Sequence, residues 1–122
     1  MNLAQVHKPR FILLDGSMGS YIGKDNKTGE SSLFNKIWSA AALALPEFND
    51  RVVKAHMEYI ISGSQIISTN SYAIQPNLYR KAFGNEAYED LMIKHAKLSA
   101  VLATSARRQV PNSENVQVFG AL

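Results

Sequence analysis

Short continuous apolar runs alternate along the chain with longer stretches whose apolar residues recur every three or four positions. The run "RFILLD" (Arg10–Asp15), bounded by Pro9 and an Asp-Gly turn, predicts a fully buried strand. Polar, glycine-punctuated sequence follows at Gly23–Ser32 and predicts a loop. "FNKIWSAAALAL" (Phe34–Leu45) predicts a short helix that stops at Pro46. From about Glu47 to Ser62, residues Phe48, Val52, Ala55, His56, Tyr59 and Ile60 make one apolar stripe, with Pro46 in the first turn and Gly63 placed to end the helix.

"SQIISTN" (Ser64–Asn70) is the second strand candidate, and "NLYRKAFG" (Asn77–Gly84) predicts a helical turn or two. Asn85 is placed to cap a longer helix running to about Arg108, striped by Ala87, Leu91, His95, Leu98, Leu102 and Ala106. Its acidic first turn and its Arg107-Arg108 end both complement the helix dipole. "PNSEN" (Pro111–Asn115) predicts a turn, and "VQVFGAL" (Val116–Leu122) begins a third strand.

The predicted class is therefore α/β, in a β-α-β-α-β order that calls for parallel strands joined by helical crossovers. Three strands and two long helices complete neither a barrel nor a doubly wound sheet. The expectation is the N-terminal portion of one larger α/β domain spanning 1–122, with residues 1–9 as a flexible arm.

Parallel α/β folds bind ligands at the carboxyl ends of their strands. Here those ends read Asp15-Gly16-Ser17, Thr69-Asn70-Ser71-Tyr72 and Gly120-Ala121. Asp15 suits an ammonium or several hydroxyls, and Gly16 admits a ligand close to the backbone. Thr69, Asn70 and Ser71 offer neutral donors and acceptors. Asp-Gly is also ordinary turn chemistry and Thr-Asn-Ser ordinary cap chemistry, so the convergence of the ends carries more weight than either alone. The glycines at 16, 19 and 23 do not match the dinucleotide fingerprint, and no Walker lysine pattern occurs. His56 and His95 lie on apolar stripes and read as packed, hydrogen-bonded histidines. Trp38 and Tyr59 read as core or interface aromatics, while Met18 either packs under the turn or lines a pocket.

Composition narrows the classes. With 122 residues and 46% apolar content the chain can bury a modest core. A formal charge of +3 without a dense Lys/Arg run points away from nucleic acid. No run is long enough to span a membrane and the N-terminus lacks an apolar signal core, so a cytoplasmic location is expected. The chain has no cysteine, hence neither disulfides nor a thiolate metal site of its own.

Three motifs in order resemble the homocysteine S-methyltransferase family. "LLDGSMGS" (Leu13–Ser20) resembles its opening L-D-G-[AG]-M-G-T. "IWSAAAL" followed by "LPEFNDRVVKAHMEYIISGSQIISTNSYAIQP" (Leu45–Pro76) resembles its W-S-x-x-x-L and its P-E…V-H-x-x-Y…T-T-N-[ST]-Y-x-x-x-P. "VQVFGAL" resembles its third strand. The resemblance implies a (β/α)8 barrel, of which this chain supplies the first three strands. It implies methyl transfer from a sulfonium donor, S-methylmethionine or S-adenosylmethionine, to the thiol of homocysteine, giving methionine. It also implies a zinc ion held by cysteines that lie later in the family pattern, so that no metal ligand is expected in this chain.

By the same resemblance Asp15 binds the substrate ammonium and Gly16 contacts the substrate through its backbone. Ser17 and Met18 join the site, Thr69 helps hold the amino-acid end, and Asn70 and Tyr72 shape the pocket mouth. Ser17, Ser20 and Ser64-Gln65 depart mildly from the family pattern. The lack of cysteine is the serious departure and makes the isolated chain an inactive half. The alternative expectation is a small non-catalytic α/β module binding an amino acid or a protein partner at its strand ends.

Overall fold

The computed structural model of the chain describes residues 11–23 and 32–121. The expected arm at 1–9 and the body of the Gly23–Ser32 loop lie outside the described residues. Two strands, β1 (Ile66–Ser68) and β2 (Gln117–Phe119), pair in parallel with Ile67 opposite Val118. Leu14 joins Ile66 through a parallel bridge, and the backbone continues that pairing from Gln65 N to Leu13 O at 2.8 Å and from Asp15 N to Ile66 O at 3.1 Å. The three apolar segments of the sequence thus lie side by side in chain order.

The first segment departs from expectation. Arg10 lies outside the described residues, and Phe11, Ile12, Leu13 and Leu14 are exposed, Phe11 at 71%. A strand inside a parallel sheet is covered on both faces. This one lies at the edge of the pairing beside a single neighbour, and no element among the described residues covers its apolar side chains.

Helices make up most of the remaining described residues. The first, α1 (Met18–Ile22), begins directly after the Asp15-Gly16-Ser17 turn, with the Ser17 hydroxyl accepting the Ser20 N–H at 3.1 Å. Instead of one helix at Phe34–Leu45, the chain forms α2 (Leu33–Ile37), a 3₁₀ turn at Trp38–Ala40 and α3 (Ala41–Ala44). The break is at Trp38, whose φ of 48° lies in the left-handed region that bulky residues avoid. Its side chain turns outward rather than into the helix row.

A 3₁₀ turn at Pro46–Phe48 leads into α4 (Asn49–Ile61), which ends as expected, with Gly63 at φ 108°. Helix α5 (Pro76–Phe83) closes at Gly84, and α6 (Tyr88–Gln109) begins later than expected. Asn85 does not cap it. Residues 85–87 form a turn of their own, and Ala87 occupies the cap position with no side-chain bond. The buried side of α6 also includes Ser99 and Ala103, which an apolar stripe drawn through leucines passes over.

Three hydrophobic clusters hold the described residues together. One gathers Met18, Ile22, Ala42, Phe48, Val52 and Ala55 between α1, α3 and α4. A second joins Ile37, Ala40, Ala41 and Leu43 to Ala73 and Tyr79. The third sets Ile60 and Ala103 against Ile67 of β1. None of the helices among the described residues is long and apolar enough to cross a membrane.

His95 meets expectation, with its Nδ1 2.9 Å from the Tyr79 hydroxyl and its ring edge-on to Tyr79 and Phe83. His56 is packed but not hydrogen-bonded. Its side chain is 0% exposed, and neither ring nitrogen has a partner among the described residues. Burial pushes the ring from its ordinary 6.5 down to about 4. The folded state therefore holds the neutral ring, while the unfolded chain takes up a proton as pH falls through 6.5. Stability is full above that value and declines toward pH 4, by about 3 kcal/mol for a shift of this size. Urea melts between pH 7.5 and 4 should trace this decline, and His56→Leu should flatten it. A wild-type curve level across the range would show that the ring charges freely in the folded protein.

Candidate functional site

The carboxyl ends of the first segment and of β1 meet through one side chain. Asp15 accepts the Ser68 N–H on Oδ2 at 2.8 Å, a bond that extends the pairing by one rung. Its second carboxylate oxygen has no protein partner among the described residues. The chain then passes through Gly16 and Ser17 into α1. A Cβ built on Gly16 would stand 2.9 Å from the Tyr59 hydroxyl and 3.1 Å from the ring, so any larger residue here must push the Tyr59 side chain aside. The Tyr59 hydroxyl donates to the Ser17 carbonyl at 2.9 Å.

The end of β1 is tied in several directions. Thr69 N donates to Phe119 O at 2.8 Å, and its hydroxyl lies 2.7 Å from that of Ser71 and accepts the Ala121 N–H at 3.2 Å. Asn70, buried, sends its amide to the Ser39 carbonyl at 2.9 Å and so anchors the 3₁₀ turn that begins at Trp38. Two residues on, Tyr72 stacks against Trp38, with centroids 6.1 Å apart and planes inclined by 17°. Both rings are half-exposed, Trp38 at 50% and Tyr72 at 59%.

These groups enclose an open cleft of about 330 Å³. All seven residues expected at the site, Asp15, Gly16, Ser17, Met18, Thr69, Asn70 and Tyr72, line it together. Met18 does both of the things considered for it, packing into the first cluster and flooring the cleft. Ala121 lines it from the third strand end, as expected, whereas sequence reasoning missed Trp38, Ser39, Gly19 and Ser68. Trp38 is not a core residue. The signal available for it was its place in "IWSAAAL", where a helix reading hid the break that turns the ring outward.

The chemistry of the cleft is one-sided. Among the described residues Asp15 is its only carboxylate, no Lys, Arg or His lines it, and two aromatic faces border it. A ligand carrying an ammonium finds a counter-charge at the free oxygen of Asp15. A ligand carrying a second, diffuse positive charge finds the Trp38–Tyr72 pair. Thr69 and Asn70 are largely committed to protein partners and act more by shaping the walls. Among the described residues no group of three His, Cys, Asp or Glu could hold a metal.

A family model described as homocysteine S-methyltransferase matches residues 12–122. Comparison with curated proteins and comparison with solved structures return no match.

Asn70 gives a direct check on this geometry, because Trp38 is the only tryptophan in the chain. Asn70→Ala removes the side-chain bond that ties the Ser39 carbonyl to the end of β1 and should destabilise the fold by about 1 kcal/mol. It should also shift Trp38 emission to the red as the stack on Tyr72 loosens. Fluorescence-monitored urea unfolding reads both, and an unchanged spectrum with an unchanged midpoint would remove Asn70 as the anchor of the turn.

Proposed function

The chain belongs to the homocysteine S-methyltransferase family, and from that premise we propose that it forms the amino-acid-binding part of an enzyme methylating homocysteine. The methyl donor is a sulfonium, S-methylmethionine or S-adenosylmethionine, and the product is methionine. The observation that carries this reading is the pairing in one cleft of a half-free carboxylate, Asp15, with the exposed stacked rings of Trp38 and Tyr72.

Asp15 holds the homocysteine ammonium through the oxygen that Ser68 leaves open. The backbone at Gly16 and Ser17 lines the approach, Met18 packs beneath, and Thr69 with Asn70 shapes the wall beside the amino-acid end. The donor's sulfonium lies against the aromatic pair, where the face of an indole or phenol ring attracts a desolvated cation. In the transfer the homocysteine sulfur, having lost its proton, attacks the methyl carbon in line with the donor sulfur. A new C–S bond forms as the old one breaks, and the donor leaves as a neutral thioether. The aromatic pair attracts the charged donor more than the neutral product, which favours release. The cleft contributes alignment of the two sulfurs.

A zinc ion of the kind the family uses would keep the thiol deprotonated when bound. The residues of this chain do not fit that ion, since the chain has no cysteine and the described residues hold no cluster of ligands. The part assigned to them is binding and orientation, and cysteines elsewhere in the protein would hold the metal. The first three strands of a (β/α)8 barrel would place the cleft on its catalytic face. Small water-soluble substrates suit a cytoplasmic enzyme.

Two variants of the intact enzyme separate the two halves of the cleft. Asp15→Asn should raise the homocysteine KM by about tenfold or more with the donor KM little changed. Tyr72→Leu should do the reverse, raising the donor KM by about fivefold. An Asp15→Asn enzyme with unaltered kinetics would remove Asp15 from the substrate. This chain by itself should yield no methionine from homocysteine and S-methylmethionine, and zinc-dependent turnover by it would overturn the division of labour. Calorimetric binding of homocysteine by the chain without any turnover in the intact protein would favour the non-catalytic module.

A further inference from the structure

We infer that Tyr59, a residue outside the cleft, is the positioning residue that sets the bearing of the Asp15 carboxylate toward the amino-acid substrate. The inference rests on the reading of Asp15 as the ammonium site and adds to it a part carried by α4.

The geometry has three components. The Tyr59 hydroxyl donates to the Ser17 carbonyl at 2.9 Å, across 42 positions of sequence, and this is the one side-chain bond from α4 to the Asp15-Gly16-Ser17 turn among those described. The same ring lies against Gly16 so closely that a methyl group there would stand 2.9 Å from the hydroxyl oxygen and 3.2 Å from Cζ. Finally, Tyr59 is itself rooted, packing with both the first and the third hydrophobic clusters, while its carbonyl accepts the Ser64 N–H at 3.0 Å. Ser64 in turn donates its hydroxyl to Leu14 O at 3.2 Å.

The turn is thus gripped from two sides. Ser68 N–H holds one oxygen of Asp15 from β1, and Tyr59 holds the carbonyl two residues later from α4. From β1 alone, through Asp15 N on Ile66 O and the Ser68 N–H on Oδ2, the turn is tied only at its start. Adding the Tyr59 bond fixes the plane of the turn and with it the direction of the free oxygen. The turn's glycine follows from this contact. No left-handed φ is recorded at Gly16, so what a larger residue would have to push aside is the Tyr59 ring. The pair Gly16 and Tyr59 is therefore one device written in two places of the sequence.

The test uses the intact protein and three variants. Tyr59→Phe deletes only the hydroxyl, and should raise the homocysteine KM about fivefold to tenfold while leaving kcat and the donor KM within about twofold. Amide exchange across Gly16–Ser20 should quicken in the same variant, since the bond that fixes the turn is gone. Gly16→Ala should raise the homocysteine KM on its own, and in combination with Tyr59→Leu should add little further, because the two changes damage one contact. Full additivity of Gly16→Ala and Tyr59→Leu would overturn the inference. So would a Tyr59→Phe enzyme with unchanged homocysteine KM and unchanged exchange beside an Asp15→Asn enzyme with a raised KM. If Asp15→Asn also leaves KM unchanged, the ammonium reading fails. The clamp is then judged by exchange alone, and unaltered exchange in Tyr59→Phe overturns it.

Discussion

A single carboxylate oxygen accepting a backbone N–H, Asp15 on Ser68 at 2.8 Å, is the constraint on which the cleft depends. It falls where the parallel pairing of the first segment with β1 would otherwise end. An aspartate there continues the ladder with a side chain in place of a carbonyl. Two consequences follow from one bond. The chain is free to leave the sheet into a turn without orphaning Ser68, and the second oxygen is left facing open space with a charge to share. Structure and chemistry divide the same functional group between them.

The second element of the cleft is held under strain. Trp38 adopts a backbone conformation that bulky residues avoid, and the cost, of order 1–3 kcal/mol, is borne by the surroundings. Asn70 offsets it by fixing the next carbonyl, and the stack on Tyr72 fixes the ring. Both partners come from the segment that follows β1. The end of one strand therefore organises a loop some thirty positions upstream, which explains why neighbouring residues in "TNSY" serve unlike purposes: Thr69 toward β2, Asn70 toward the Trp38 turn, Tyr72 toward the mouth.

Much of this arrangement was legible in the residues. The alternation of apolar runs with striped helices foretold parallel pairing, and β1 and β2 pair in parallel. Polar strand ends foretold where side chains would gather, and Asp15 through Met18 meet Thr69, Asn70 and Tyr72 around one cleft. What the residues concealed came from tertiary override of local preference. "FNKIWSAAALAL" has helix-forming composition throughout, yet it breaks at Trp38, beside the carbonyl that Asn70 holds. Asn85 has the chemistry of a cap, yet the chain turns three residues further before α6 starts. A glycine next to an aspartate looks like room for a ligand, and it is also room for Tyr59, whose approach no local pattern encodes. The apolar run at Phe11–Leu14 promised burial that depends on partners it does not itself specify.

The alanines at 40, 41 and 42 are all fully buried, with Ala42 in one hydrophobic cluster and Ala40 and Ala41 in the next. They form a seam one methyl thick between two cores, and Ser39 with its anchored carbonyl sits immediately before it. A seam that thin has no slack. Added volume there cannot be absorbed by a flexible neighbour and must move α3 or the Trp38 turn, at about 1–3 kcal/mol for each overpacked side chain. The shape of the cleft therefore depends as much on three small residues behind it as on the groups that line it.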